Sequence, residues 1–374
     1  MKELPEEVLD LDEKIIAFIR RGIDHQDSRE FNRLALNVFE LQFKYISIYR
    51  RYCEKRGIDP ENISSWERIP ALPTDVFKVM ELSLLPAQTV RTFMTSGTKR
   101  PEERGKVRYD EGGLRLMDAT IYEAASAFLF PDGIRTTILI IAPSPEIAPS
   151  MIMAYGMNRL MEYFGSSRSR FLVGKEKFEV QVLVDELRRS EGEGTPVTVC
   201  GGSFGFVNFF DYCREKGLKF KLPSHSRTLD AGGFKGRSRE GKREEFLNDC
   251  EEFLGIKRDY SVNLLGMTEM SSQFYDNGLR NAYKGLDIPK AKINPPWTRT
   301  QTVDPDTLEP LSADKVGLLR HVDLANRGTI LAIQTDDLGK MTPEGFEIFG
   351  RSKGDVTRGC SLTIDEMTHI KQEG

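Results

Sequence analysis

Two hydrophobic periods run along this chain, and the point where one gives way to the other shows how it is organised. In the N-terminal stretch the period is helical. Glu6 to Arg21 reads as a first amphipathic helix. A longer one is predicted from Ser28 to Arg56, with Asp27 or Ser28 as its cap and Gly57 just past its end. Along it Phe31, Leu34, Ala35, Val38, Leu41, Tyr45, Ile48, Tyr49 and Tyr52 recur at helical spacing, a stripe that suits core packing better than a ligand surface. Pro70 and Pro73 interrupt the pattern, and Thr74 can cap a short turn over Asp75 to Met80.

Further on the periods alternate. Apolar runs at Thr137–Ala142, Arg170–Val173, Pro196–Cys200, Arg227–Ala231 and Val262–Leu265 have the length and β-branched content of buried strands. Between them Ser150–Phe164, Lys177–Arg189, Phe206–Gly217 and Glu240–Leu254 read as amphipathic helices. Strand–helix alternation predicts an α/β fold with mainly parallel sheets covered by helices. After about Gly278 the elements become short strands, at Thr298–Val303, Gly317–Val322, Thr329–Gln334 and Phe346–Phe349, joined by turns such as Asp304-Pro305-Asp306. The expected division is a helical region 1–68, an α/β core 69–277 and a small β-rich subdomain 278–374.

Composition narrows the classes. The 374 residues, 39% hydrophobic and 29% charged, suffice for a sizeable core. The net charge of −4, with both signs interspersed, argues against a nucleic-acid-binding surface or a polybasic membrane anchor. The start lacks a signal-peptide core, and the strongest apolar run, near Ile138–Ala142, is too short to span a bilayer. Five cysteines (Cys53, Cys200, Cys213, Cys250, Cys360) without a C-x-x-C spacing encode neither a disulfide framework nor a zinc site. These features lead us to expect a reduced, cytoplasmic protein.

Five stretches carry candidate chemistry. The apolar run Val90–Met94 leads into Thr95-Ser96-Gly97-Thr98, followed by Lys99, Arg100, Arg104, Lys106 and Arg108. Hydroxyls around a glycine, then positive charge, suit a phosphate cradle, or else a polar turn; the P-loop string G-x-x-x-x-G-K-[ST] does not occur. Gly201-Gly202-Ser203-Phe204-Gly205 fits G-x-S-x-G between a strand and a helix, with Asp304, Asp306 and His321 following in hydrolase order. Strand-ending glycines serve equally well for packing. Asn263 to Glu269 reads as a strand ending in a hydroxyl and a carboxylate, so Glu269 could hold magnesium or simply cap a loop. Asp336-Asp337-Leu338-Gly339 follows the strand Thr329–Gln334: either a carboxylate for ribose hydroxyls or an ordinary turn. Last, Arg358 beside Cys360 would favour a thiolate, although an isolated cysteine is commonly a small buried hydrophobe.

In order, Thr95–Thr98, Asp230-Ala231-Gly232-Gly233, Gly266-Met267-Thr268-Glu269, Thr335-Asp336-Asp337 and the Gly350–Gly359 segment resemble the motifs of adenylate-forming enzymes. Ile69–Lys78, Gly232–Lys235, Pro295-Pro296-Trp297, Val322–Asn326 and Arg358–Ser361 resemble more closely the acyl-protein synthetases of the LuxE type. The resemblance covers Pro70 to the C-terminus.

It implies the large-domain architecture of the adenylate-forming enzymes without their full mobile C-terminal domain, and ATP and Mg2+ as cofactors. In it Thr95, Ser96, Gly97 and Thr98 grip the phosphates, and Gly232 and Gly233 lie against adenine. Gly266, Met267, Thr268 and Glu269 serve phosphate and magnesium, Asp337 the ribose, and Arg351 the hinge. The implied reaction joins a fatty or other carboxylic acid to AMP and passes the acyl group to Cys360, from which a partner reductase would collect it. The phosphate loop departs from the pattern at Lys99-Arg100-Pro101. Positions 361–374 alone follow Cys360, so a local cation (Lys235, Arg351 or Lys353) is expected to replace the C-terminal-domain lysine. A serine hydrolase acting through Ser203 and a silent nucleotide-binding subunit are the competing readings.

Overall fold

A computed structural model describes residues 4–95, 104–175, 177–231, 243–352 and 358–372. Ser96, Gly97, Thr98, Gly232, Gly233, Lys235 and Lys353 lie outside them. The chain packs as two compact units: 1–123 with 267–272 and 293–374, and 124–266 with 273–292.

The first unit opens with α1 (Glu6–Ile19), α2 (Ser28–Tyr45) and α3 (Ser47–Lys55). Asp27 is the cap of α2, its carboxylate accepting from Glu30 N at 2.9 Å. The single helix expected from Ser28 to Arg56 is broken at Ile46, whose ψ of 87° leaves the helical region. No glycine or proline marks that break. It turns α3 so that the buried Tyr49 and Tyr52 donate to the carbonyls of Pro70 (2.7 Å) and Ala71 (3.4 Å). Those bonds fix β1 (Leu72–Pro73) and the short helix α4 (Val76–Val79) that follows. A hairpin of β2 (Arg91–Met94) and β3 (Lys106–Tyr109) comes next, then α5 (Glu111–Phe128), which runs into the second unit.

The second unit is the α/β layer that the alternation predicts. Its strands are β4 (Thr137–Pro143), β5 (Arg170–Val173), β6 (Val197–Gly202), β7 (Arg227–Ala231), β8 (Ser261–Leu265) and β9 (Phe274–Tyr275). They form one sheet in the order β5-β4-β6-β7-β8-β9, parallel except for β9. The helices are α6 (Ile152–Phe164), α7 (Val180–Glu193), α8 (Ser203–Lys216), α9 (Arg243–Asp249) and α10 (Gly278–Lys284). Residues Cys250–Leu254 continue α9 as a π-helical turn. The core between sheet and helices holds Leu139, Val199, Leu187, Phe209, Phe210 and Phe253, all buried.

The chain then completes the first unit with β10 (Thr298–Val303), β11 (Gly317–Asp323), β12 (Ala332–Met341), β13 (Phe346–Arg351) and α11 (Arg358–Gln372). Strands β10 to β13 are antiparallel, and β1 adds to the sheet in parallel beside β12 (Leu72↔Ile333, Pro73↔Gln334). The structure differs from expectation at β12, which starts at Ala332 and runs through Asp336-Asp337-Leu338-Gly339. That stretch is strand, not turn: Gly339 pairs with Gly317 and Ile348, and its close neighbours Glu347 O and Leu319 leave no room for a side chain. Helix α11 carries no periodicity strong enough to announce it. Arg56–Glu366 (2.5 Å) and Lys371 Nζ to Val79 O (2.9 Å) dock it on α3 and α4.

Candidate functional site

In the first unit, the loop from Met267 to Ser272 carries Thr268 and Glu269, both buried. Motifs far apart in sequence hold it. Ser271 N donates to Asn326 Oδ1 (2.8 Å), and Asn326 Nδ2 donates to the carbonyls of Glu269 (2.9 Å) and Ile330 (3.0 Å). Asp323 accepts from Ser272 N (2.8 Å) and Ser272 Oγ (2.7 Å), and Trp297 Nε1 donates to that same hydroxyl (3.1 Å). Tyr109 Oη and Ser271 Oγ share a bond of 3.2 Å. The Pro295–Trp297 and Val322–Asn326 motifs thus act as a clamp on the loop.

The clamp presents Glu269 to a mixed set of charges. Burial raises its carboxyl to about 7; its own backbone N–H, Arg351 and Lys78 pull it down, and Asp75 pushes it up. Lys78 and Asp75 on α4 form an ion pair of 2.5 Å. On the neighbouring strand, burial and then Asp75 raise the Asp336 carboxyl, and Arg351 lowers it. Asp337 and Arg351 face each other across β12 and β13, with Nε 3.4 Å from Oδ1. The sheet therefore joins the predicted ribose aspartate to the predicted hinge arginine, and brings both to the charges around Glu269. Nothing in the sequence beyond their place in the Ile69–Lys78 motif signalled that Asp75 and Lys78 would meet Glu269.

Among the described residues no three carboxylate, histidine or cysteine side chains stand close enough to make a metal site of their own. That fits Mg2+ as it binds with a nucleotide, held by one or two carboxylates and by substrate phosphates. Thr95, just past β2, is bonded twice to Gly105: its hydroxyl accepts from Gly105 N (2.9 Å) and its N–H donates to Gly105 O (2.9 Å).

In the second unit, Gly266 ends β8 with open space where a side chain would stand. At the same strand ends Asp230 is fully buried, paired with Arg243 and accepting from Asn263 Nδ2 (2.7 Å). Lys292 Nζ donates to Asn263 O (2.6 Å), and desolvation lowers its pKa to about 8. No sequence signal pointed to Lys292.

The G-x-S-x-G stretch has a packing explanation. A Cβ on Gly201 would lie 3.1 Å from Ile141 O, and one on Gly205 would lie 2.8 Å from Ile141 Cγ2, so the glycines let α8 sit on β4. The Ser203 hydroxyl is buried without a hydrogen-bond partner among the described residues. His225 pairs with Asp132 (3.1 Å), but both precede parallel strands that Ser203's strand follows to its far end, about 15 Å away at the usual rise per residue. The predicted His–Asp arm fails too. His321 Nδ1 bonds Thr300 Oγ1 (2.8 Å), while Asp304 Oδ1 accepts from Asp306 N and Thr307 N in its own turn. Burial takes His321 down to about 3. In α8, Phe206 and Phe209 are buried in the core, and Phe204 is exposed.

Cys360 lies in the first turn of α11, fully buried against Val303, Leu308, Leu318 and Leu338. The remaining cysteines are buried as well.

Comparison with known proteins follows the same lines. The family model described as "Acyl-protein synthetase, LuxE" matches residues 17–368. A long-chain-fatty-acid–luciferin-component ligase of Aliivibrio fischeri is 21% identical over 344 residues, 89% of this chain and 87% of that protein. Among solved structures, an open conformation of 2-hydroxyisobutyryl-CoA ligase in complex with 2-HIB-AMP and CoA superposes with a TM-score of 0.63 at 16% identity, covering 91% of this chain and 79% of that one. ATP-bound MatB from Rhodopseudomonas palustris gives a TM-score of 0.50 at 15% identity, covering 70% of this chain and 48% of that one. The fold is that of the adenylate-forming ligases.

Proposed function

The chain belongs to the LuxE family of acyl-protein synthetases, and from that premise we propose that it activates a long-chain fatty acid with ATP and carries the acyl group on Cys360. The observation that carries the proposal is the clamped loop, which holds Glu269 among Arg351, Lys78 and Asp75.

A carboxylate resists nucleophiles because oxide is a poor leaving group. Attack of its oxygen on the α-phosphorus of ATP gives an acyl-adenylate and pyrophosphate, and AMP is then a good leaving group. Such phosphorus chemistry is mostly positioning and charge neutralisation. In this reading Thr95, Ser96, Gly97 and Thr98 hold the departing pyrophosphate and Gly232 and Gly233 flank the adenine. Gly266 and Met267 leave room for the nucleotide, Asp337 takes the ribose, and Thr268 with Glu269 faces the phosphates. Mg2+, when bound, would neutralise phosphate charge beside Glu269. Lys78 joins Lys235 and Arg351 as a local cation for the work of a C-terminal-domain lysine. Because Cys360 is buried, its acylation requires the first turn of α11 to shift. A reductase is the partner that the family resemblance suggests, and the cytoplasm the compartment; no helix among the described residues is long and apolar enough to cross a membrane.

The test is carboxylate-dependent exchange of labelled pyrophosphate into ATP over short, long-chain and aromatic acids. Long-chain acids should support exchange, and their label should stay on the wild-type protein and be absent from Cys360→Ser. Exchange with no acid would remove the adenylation reading, and label retained by Cys360→Ser would remove Cys360 as acceptor.

A further inference from the structure

Arg320 on β11 is half-buried, with no carboxylate within salt-bridge distance among the described residues. Its Nε donates to Gln334 Oε1 (3.2 Å) and its Nη2 to Leu308 O (2.7 Å), both neutral acceptors. Leu308 holds a left-handed φ of +59°, a conformation rare for leucine, gives its carbonyl to Arg320, and packs its side chain against the buried cluster of Val303, Leu318 and Cys360. Leu318, two residues before Arg320 and hence on the same face of β11, belongs to that cluster together with Val303 opposite it. Arg320 and Cys360 therefore share one small apolar compartment, and each lies within the other's electrostatic reach. The thiol also sits in the first turn of a 15-residue helix, where unpaired backbone N–H groups favour an anion.

We propose that Arg320 is the counter-cation of a Cys360 thiolate, keeping the thiol ionised for attack on the acyl-adenylate. The proposal rests on the reading of Cys360 as acyl acceptor. Cys360 gives its proton to water; the thiolate sulfur bonds to the acyl carbon, the bond to the AMP oxygen breaks, and AMP departs with its electron pair. Thiol and acyl-adenylate thus become thioester, AMP and a proton. Among the described side chains, outside which that of Arg358 lies, other groups stand near Arg320 or on α11. From α3, Tyr52 is held neutral by burial, which raises it to about 12. Glu309, in the loop between β10 and β11, also faces Arg320 but is exposed and outside salt-bridge distance. On α11 itself Glu366 is engaged by Arg56.

The experiment is the rate of iodoacetamide alkylation of Cys360 against pH, read peptide by peptide by mass spectrometry on the full chain. Wild type should titrate below the free-thiol value of about 8.5. Arg320→Gln should move the midpoint up by a unit or more and slow alkylation at pH 7 about tenfold, with Arg320→Lys between them. A wild-type midpoint at or above the free-thiol value, an unmoved midpoint in a folded Arg320→Gln, or no alkylation at any pH would each overturn the proposal. If Arg320→Gln fails to fold, the wild-type midpoint and Arg320→Lys still decide. Label retained on Cys360→Ser would sink the acceptor reading alone, leaving an Arg320-dependent midpoint as its own result.

Discussion

Two turns in this protein follow buried strands and look chemical in sequence, yet the structure treats them in opposite ways. The turn after β6 carries Ser203 between glycines that Ile141 crowds, and no base among the described residues of its unit bonds its hydroxyl. The turn after β8 carries Glu269 and is gripped by Asn326, Asp323, Trp297 and Tyr109. What separates them is not the motif but the supporting shell. A site that must hold a charged group to within a fraction of an ångström needs neighbours that lock its backbone. A packing turn needs only the right volumes.

The sharpest way to break this comparison is activity. Glu269→Gln should lower pyrophosphate exchange by two orders of magnitude or more, the scale on which a removed transition-state contact is felt. Ser203→Ala should leave exchange within about twofold of wild type. The reverse pattern would make the β6 turn the site. Next in size is a pH effect. The folded state holds Glu269 at about 7, above its ordinary 4.5, so it favours the protonated form. Its contribution is fully present below pH 4.5 and is lost as pH rises through 7, a difference of roughly 3 kcal/mol if the whole shift is expressed. Urea unfolding of the ligand-free protein at pH 5 and pH 8 should show wild type losing stability relative to Glu269→Gln by about that amount. Equal pH dependence in the two proteins would mean that Glu269 is not held in a desolvated place. The smallest effect separates the glycines. Gly205→Ala forces a Cβ against Ile141 and should cost about 1–3 kcal/mol. Gly266→Ala meets open space and should cost under about 0.5 kcal/mol of stability. Comparable losses in urea midpoints would show that both turns are packing devices.

Much of the second unit was legible because its signals are local. Strands Arg170–Val173 and Arg227–Ala231 appear with the predicted bounds, and the helices between them shift by only a few residues. Legibility was lost where long-range contacts overrode local pattern. The break at Ile46 exists because Tyr49 and Tyr52 must reach Pro70 and Ala71. Asp336 and Asp337 belong to a strand because β13 pairs beside them, Asp337 with Arg351 and Ser352 N donating to Asp336 O (3.0 Å), while on the other side they fall in the irregularity between the Leu338 and Gln334 pairings with β11; Asp-Asp-Leu-Gly by itself prefers a turn.

The sequence by itself determined the α/β alternation, the order of the motifs and the family they indicate, since each depends on residues close together in the chain. Only the tertiary structure decided which charges meet. Lys78 comes to Glu269 because β1 pairs with β12, and Cys360 joins Val303 and Leu318 because α11 docks on α3 and α4. Such meetings follow from strand register and helix docking, which no local period encodes, and burial then fixes how strongly the charges act on one another.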